Sequence, residues 1–328
     1  MAGLAAAREL SHRGRSVIVL DKGRKPGGRM ASRRFSEARF DTGAQFFSAR
    51  DEGFRLLLDG ELLPSGVAAE WYRLGEETYY RGAPHMRSLP EHLAESLDVR
   101  CGERVTQLAG ALGKWAITTE AEGGEAHNYE AEALLLTPPA PQSVALLEPI
   151  ASELDPEMLE ELSGLTYNPT LALLLRLRGT SPILEPGYDR PRNDSIIYWV
   201  ADNRLKGISP KGSGPAITLH AKPGYSRRSY DMSESEVIPE MIEAFRRCYP
   251  EGVGGRRYEI EAHQLRKWRY ARPTNPTDER SYLLTRGGAP VAVAGDTFGG
   301  PRVEGAYLSG LAAAKLLDQS LRSSKTEG

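Results

Sequence analysis

The first fifty residues alternate between apolar stretches and glycine-rich polar turns. Residues 1–14 carry small and apolar side chains at helical spacing and end on Gly14, which predicts a short helix. Arg15–Leu20 then contains the run Val-Ile-Val-Leu, which predicts a buried strand that ends at Asp21. A helix followed by a strand with an acidic residue at its end is typical of the second half of a dinucleotide-binding βαβ unit.

The front half of that unit is expected to lie outside this sequence. Gly3 stands where the third glycine of G-x-G-x-x-G belongs, and Asp21 stands where an acidic residue holds the ribose hydroxyls. The leading strand and the first two glycines would then lie upstream of Met1. Because that strand and loop supply packing and phosphate-binding donors, we expect the chain expressed alone to be poorly soluble or colourless. An upstream extension is expected to restore cofactor binding.

The segment after Asp21 favours FAD over NAD as the bound dinucleotide. Asp21 and Lys22 are followed by Gly27-Gly28-Arg29-Met30. Two glycines let the backbone approach a pyrophosphate closely, and an arginine offers it a forked set of charged donors. An isolated Gly-Gly-Arg is often only a basic turn. Its position behind a helix–strand unit is what indicates a flavin nucleotide.

A second glycine-rich motif near the end of the chain fits the same cofactor. Val291–Ala294 predicts a buried strand, and Gly295-Asp296 lies at its carboxyl end, where α/β sheets bind ligands. An aspartate there can accept a hydrogen bond from a ribityl hydroxyl. The helix predicted from Val303 would present free N–H groups at Gly305 and Ala306 to negative charge on a reduced flavin. The alternative is a simple turn before a terminal docking helix.

Between these motifs the pattern changes twice. Residues 51–97 look like loops rich in aromatic side chains and suggest an excursion into a second domain, while residues 99–136 return with strand signals in a meander. A second excursion, residues 150–287, predicts a helix near Pro156–Leu162 and another over Glu234–Cys248. In the latter, apolar residues recur every four positions, at Val237, Met241 and Phe245.

Composition narrows the functional class. The chain has 328 residues, 40% hydrophobic and 26% charged, which is ordinary for an enzyme with two domains. A net charge of −2 is too small and of the wrong sign to attract nucleic acid. No apolar run in the sequence is long enough to cross a membrane. Cys101 and Cys248 are isolated, which suits a reducing cytoplasm and argues against a metal site.

Several stretches resemble the flavin amine oxidase superfamily, and most closely its renalase-like branch. The two glycine motifs resemble signatures shared by many flavoproteins. More diagnostic resemblances lie between them. These stretches are Phe40–Arg50 (FDTGAQFFSAR), Ile197–Asn203 (IYWVADN), His220–Gly224 (HAKPG) and Lys267–Pro273 (KWRYARP).

The resemblance implies an α/β fold, in which an FAD-binding Rossmann-like parallel sheet is flanked by helices and joined to a mixed α+β substrate domain. The FAD-binding domain would comprise residues 1–50, 98–140 and 288–328, and the substrate domain residues 51–97 and 141–287. FAD would be held without a covalent bond. The expected cofactor contacts are Gly3, Asp21, Lys22, Gly27, Gly28, Arg29, Met30, Gly43, Ala44, Gln45, Phe46, Val105, Thr137, Gly295, Asp296, Gly305 and Ala306.

The implied activity is oxidation of a dihydronicotinamide isomer by hydride transfer to flavin N5, with O2 as acceptor and H2O2 as product. A dihydropyridine needs no general base, which fits a sequence that shows no clear acid–base pair. Expected substrate contacts are Trp199, Asn203, His220 and Trp268, although the two tryptophans and His220 also fit a core role. Asn203 and Lys206 fit the binding of a carboxamide or phosphate, and fit a solvated loop equally well. An amine oxidase, a desaturase-like enzyme and a non-catalytic remnant remain as alternatives.

Overall fold

The computed structural model describes residues 1–111, 113–285 and 288–323. Its α-helices are α1 Ala2–His12, α2 Glu52–Leu57, α3 Ser88–Ala94, α4 Ala140–Leu147, α5 Pro156–Ser163, α6 Pro223–Ser229, α7 Glu234–Cys248 and α8 Val303–Ser323. Its strands are β1 Ile18–Asp21, β2 Ser32–Phe35, β3 Ala38–Asp41, β4 Ala68–Leu74, β5 Glu77–Gly82, β6 Asp98–Cys101, β7 Arg104–Ala111, β8 Lys114–Glu120, β9 Ala126–Ala131, β10 Leu134–Leu136, β11 Tyr167–Gly179, β12 Tyr188–Asp189, β13 Ile197–Asp202, β14 Ala216–Ala221, β15 Tyr258–Pro273, β16 Tyr282–Leu283 and β17 Val291–Val293.

Parallel strand pairs and packed helices confirm the predicted α/β class. Strand β1 pairs in parallel with β6, and β10 pairs in parallel with β17, to which β16 adds in antiparallel orientation. Helices α1 and α8 cross so closely that a Cβ atom on Gly310 would lie 2.2 Å from the carbonyl oxygen of Ala2. Arg15 fixes the same crossing through an ion pair of 2.7 Å with Asp318. The two ends of the described chain therefore pack into one unit.

The predicted meander is confirmed as a sheet but its first strand was assigned wrongly. Residues 99–101 belong to β6 and extend the parallel pair, because Val99 lies opposite Val19 of β1. The meander is instead β7-β8-β9, fully antiparallel, and its third strand, β9, was not predicted. Strand β9 is polar at most positions and alternates between exposed and half-buried residues, so its apolar signal is weak.

The second sheet has the order β12-β13-β14-β11-β15, and all its pairs are antiparallel. Helix α7 covers it with the predicted face, since Val237, Met241 and Phe245 are fully buried in one core with the sheet. Its first turn is closed by a capping box, in which Ser233 and Glu236 each bind the other's backbone N–H. This sheet and its helices form the predicted α+β region.

Residues 51–97 contain regular structure where loops were predicted. Helices α2 and α3 bury Phe54 and Leu89 in the core that also holds Leu4 of α1. Strands β4 and β5 form a hairpin whose Trp71 donates a hydrogen bond of 2.7 Å to the carbonyl oxygen of Pro186. The helices thus pack on the dinucleotide unit and the hairpin contacts the second sheet. The predicted domain boundaries stay a prediction.

Candidate functional site

The two glycine motifs from opposite ends of the chain meet in space. Arg29 donates two hydrogen bonds of 2.6 Å to the two carboxylate oxygens of Asp296. The same guanidinium lies 3.3 Å from the carbonyl oxygen of Tyr270 and 3.4 Å from that of Ala271, at the end of β15. Arg29 therefore joins the first motif, the last motif and the second sheet at one point.

Glycines permit this convergence. A Cβ atom on Gly43 would lie 2.0 Å from the carbonyl oxygen of Arg29, to which the N–H of Ala44 donates at 2.9 Å. Gly28 lies in the left-handed region, with a φ of +50°, at the start of a 3-10 turn that ends at the buried Met30. A Cβ atom on Gly28 would meet no heavy atom within 4 Å, and the same holds for Gly295. Open space therefore adjoins the Arg29–Asp296 pair at both motifs.

The start of α8 corrects one expectation. The N–H of Ala306 donates to the carbonyl oxygen of Arg302 at 3.0 Å, so it is engaged within the helix. The helix begins at Val303, so the backbone N–H groups that lack a partner within the helix are those before Ala306. Of the two predicted donors to the flavin, only Gly305 lies among them. A Cβ atom on Gly305 would lie 2.1 Å from the carbonyl oxygen of Gly300, so the preceding loop lies directly against it.

The remaining residues of the predicted nucleotide end lie around β1. Asp21 accepts a hydrogen bond of 2.8 Å from the N–H of Gly23 through one carboxylate oxygen, while Lys22 donates to Gln142 at 3.2 Å. Gly3 of α1 faces Thr137, whose hydroxyl oxygen lies 3.1 Å from the place of a Cβ. Val105 of β7 packs, half-buried, in the same core as Leu20 of β1. The structure thus places Gly3 beside Thr137, and Val105 near β1.

A fully buried ion pair supports the Phe40–Arg50 stretch. Lys206 donates to Asp41 at 2.8 Å, and both side chains are 0% exposed. Burial lowers the pKa of Lys206, and the charge of Asp41 opposes this effect. Asn203 is equally buried and accepts from the backbone N–H of Asp41 at 3.0 Å. The solvated loop considered for Asn203 and Lys206 is therefore wrong.

The carbonyl oxygen of Thr42 accepts from two predicted substrate residues. His220 Nε2 lies 3.1 Å from it and Trp268 Nε1 lies 3.0 Å from it. Burial lowers the pKa of His220 to about 4, so the imidazole is neutral near pH 7 and donates through Nε2. Strands β14 and β15 thereby hold the segment that carries Gly43, and three stretches that are far apart in the sequence meet at Thr42.

Gln45 carries an acceptor without a protein partner. Its Nε2 donates to the carbonyl oxygens of Asp41 at 2.7 Å and Gly43 at 3.0 Å, which fixes the orientation of the amide. Its Oε1 is buried and has no hydrogen-bond partner among the described residues. A buried unpaired acceptor costs free energy, so Gln45 is well suited to bind a donor on a ligand.

Six aromatic side chains lie together around Phe46, the residue that follows Gln45, and form what we term the aromatic cluster. Its members are Phe46, Trp71, Tyr72, Tyr79, Tyr188 and Trp199. Trp199 is 2% exposed and stacks on Tyr188 with ring centroids 4.9 Å apart, so one face of its ring is covered. Its buried Nε1 has no partner among the described residues. Tyr188 was missed from the sequence because its strand, β12, has two residues and no pattern.

Two kinds of feature are not seen in the described part of the chain. It contains no group of three or more His, Cys, Asp or Glu residues able to hold a metal ion. None of its helices combines the length and apolar character required to cross a bilayer.

Comparisons with known proteins agree with this geometry. Residues 65–317 match the family model described as flavin containing amine oxidoreductase, and residues 1–59 match the model of an NAD(P)-binding Rossmann-like domain. Renalase from Mus musculus is 26% identical over 314 residues, which cover 90% of this chain and 89% of that protein.

Solved structures share the fold over almost the whole chain. A putative protoporphyrinogen oxidase from Exiguobacterium sp. 255-15 superimposes with a TM-score of 0.67 at 14% identity, covering 98% of this chain and 97% of the other. An oxidoreductase from Methanosarcina mazei gives a TM-score of 0.64 at 16% identity, covering 96% and 98%.

Proposed function

We propose that this chain, which belongs to the flavin containing amine oxidoreductase family, oxidises a dihydronicotinamide isomer, a 2- or 6-dihydro form of NAD(P). The family makes it an oxidoreductase that uses a flavin, and we take that flavin to be non-covalently held FAD. The similarity to a renalase over 90% of the chain supports this choice of substrate. The free thiols of Cys101 and Cys248 support a cytoplasmic location.

The glycine motifs fit the phosphates of FAD. Gly28 and Gly295 leave open space beside the Arg29–Asp296 pair, which a Cβ atom at either position would enter. On FAD binding Arg29 would turn its forked donors from Asp296 to the pyrophosphate, and Asp296, released from that pair, would accept from a ribityl hydroxyl. Asp21 would hold the ribose through the carboxylate oxygen that does not bind Gly23.

The observation that carries the proposal is that His220 and Lys206 are both committed to protein partners, the Thr42 carbonyl oxygen and Asp41. A dihydropyridine ring becomes aromatic by losing a hydride alone, so its oxidation requires no group that takes a proton from carbon. His220, with a pKa lowered to about 4 by burial, binds a proton poorly near pH 7, and Lys206 is committed to Asp41. Trp268 and His220 instead hold Thr42, which fixes Gly43 and Gln45 in place.

Bound flavin would supply the acceptor for the hydride and pass two electrons to O2. The balance is one dihydronicotinamide, one O2 and one proton, giving one oxidised nicotinamide and one H2O2. Gln45 and the aromatic cluster would bind and orient the ring, which is the part of the reaction that the chain itself would contribute.

An isomer panel tests the proposal. FAD-loaded protein is mixed with the 2-, 4- and 6-dihydro forms of NAD(P) and, separately, with primary and secondary amines, and H2O2 is measured. We expect fast oxidation of the 2- or 6-dihydro form with one H2O2 per substrate. Oxidation of amines alone would contradict the proposal.

A histidine variant tests the role given to His220. His220→Gln keeps a donor for the Thr42 carbonyl oxygen, so we expect most of the turnover number to remain near pH 7. General-base catalysis contributes typically about 10²- to 10⁴-fold. A loss of that size, with normal flavin content, would show that a proton is abstracted from carbon.

A further inference from the structure

Arg190 is an exposed cation held against the buried edge of the aromatic cluster. Its guanidinium carbon lies 4.9 Å from the centroid of the Trp199 ring. Contact with a ring face orients a guanidinium without using its N–H groups. Within the described residues, the Arg190 side chain has neither an ion pair nor a hydrogen bond. Its donors are therefore oriented and unoccupied.

The nearest carboxylate in the sequence is engaged elsewhere. Asp189 accepts from the hydroxyl of Tyr249 at 2.5 Å and from the backbone N–H of Arg190 at 2.7 Å. Among the described residues the Arg190 guanidinium therefore has no carboxylate bound to it.

A series of ring contacts runs from Arg190 to Phe46, the residue that follows Gln45. Phe46, the residue after Gln45, lies 5.4 Å from the Trp199 ring, and the Tyr188 ring stacks on Trp199. Tyr188 in turn lies 4.4 Å from the Tyr72 ring. Phe46, Tyr72 and Tyr188 are half-buried and Arg190 is exposed, so the series of ring contacts leads from partly buried rings to an exposed cation. The ligand that suits this arrangement has a flat ring at one end and an anionic group at the other.

We propose that Arg190 binds the phosphate of the substrate, and that the aromatic cluster leads from it to the reacting ring. The identity of that ring as a nicotinamide rests on the proposed function, whereas the preference for an anionic group does not. Arginine matches two oxygens of a phosphate with two parallel N–H groups, which gives direction as well as charge. The substrate class is then a phosphorylated dihydronicotinamide nucleotide, and the unphosphorylated riboside is a poor ligand.

Equilibrium binding tests this subsite without relying on turnover. The FAD-loaded protein is titrated by calorimetry with oxidised nicotinamide mononucleotide, with NAD and with nicotinamide riboside. Arg190→Ala is expected to weaken binding of the mononucleotide by about 10- to 100-fold, the range for loss of a charge-assisted hydrogen bond, and to leave the riboside unchanged. The affinity of Arg190→Lys for the mononucleotide should lie between those of the original protein and Arg190→Ala. Arg192→Ala, an exposed arginine two residues later, is the matched control and should change neither.

Each outcome has a definite meaning. Equal affinity of the original protein for mononucleotide and riboside would overturn the subsite, as would an equal loss for both ligands in Arg190→Ala or the same loss in Arg192→Ala. If Arg190→Ala lost affinity for NAD but not for the mononucleotide, the subsite would be supported and Arg190 would be assigned to the second phosphate of NAD. Failure to oxidise any dihydronicotinamide, with the phosphate preference intact, would instead refute the proposed reaction and keep the anion subsite.

Discussion

Arg29 is the residue on which cofactor binding depends most directly. In protein expressed with the upstream extension, Arg29→Ala should lose most of the bound FAD, because the pyrophosphate loses a charge-assisted partner worth about 1.5–3 kcal/mol. Asp21→Ala should weaken binding less, since the ribose offers only neutral hydroxyls. The ratio of flavin to protein absorbance after gel filtration measures both. Arg24→Ala is the control, because Arg24 pairs with Glu122 on the surface. Unchanged flavin content in Arg29→Ala would contradict the assignment.

His220 makes stability depend on pH. Burial lowers its pKa from 6.5 to about 4, so between these values the unfolded chain binds more protons than the folded one. The free energy of unfolding contributed by this group therefore falls as the pH falls through this window. In urea unfolding, the difference between pH 7 and pH 5 should be smaller in His220→Gln by about 2 kcal/mol. An identical pH dependence in both proteins would show that His220 is not buried in its neutral form.

At the scale of elements, regular periodicity decided what the sequence revealed. Helix α7 was predicted over its full length, because Val237, Met241 and Phe245 repeat every four residues on one buried face. The hairpin β4–β5 was missed, because a bulge between Glu70 and Tyr72 breaks the two-residue alternation that marks a strand. Its aromatic side chains were visible in the sequence, but their pairing was not.

The Phe40–Arg50 segment gives a sharp test of close packing. Gly43→Ala would place a Cβ atom 2.0 Å from the carbonyl oxygen of Arg29, and a backbone atom cannot rotate away. We expect this variant to lose flavin and to unfold at a lower temperature. Gly60→Ala is the control, since an added Cβ meets no heavy atom within 4 Å there, and alanine favours the helical backbone by roughly 0.5–1 kcal/mol. Equal flavin content in the two variants would show that the segment is free to shift.

At the scale of the whole molecule, the two parts of the chain should open separately. Strand β11 is fully buried from Leu171 to Leu175, whereas Ile18 of β1 is 44% exposed. Hydrogen exchange should therefore be slowest in β11 and faster in β1 and β6. Adding FAD should slow exchange in residues 27–30 and 295–297 together, because Arg29 and Asp296 bind each other. Slowing at only one of these segments would contradict a shared site.

Long-range pairings limited what the sequence disclosed about the site. Arg29 and Asp296 were both predicted, each from the glycines beside it. Lys206 and Asp41 are separated by 165 positions, and neither lies in a pattern that predicts a partner. A buried ion pair is visible only once the fold brings both charges into an environment without water.

The Arg29–Asp296 pair also has a consequence for synthesis in the cell. The ribosome adds the carboxylate that binds Arg29 only 267 residues after Arg29 itself. While the chain is growing, the glycine loop of the first motif has no acidic partner and α1 has no α8 to pack against. The flavin site is therefore completed only after Asp296 has been synthesised, so capture of the flavin has to follow synthesis of both motifs.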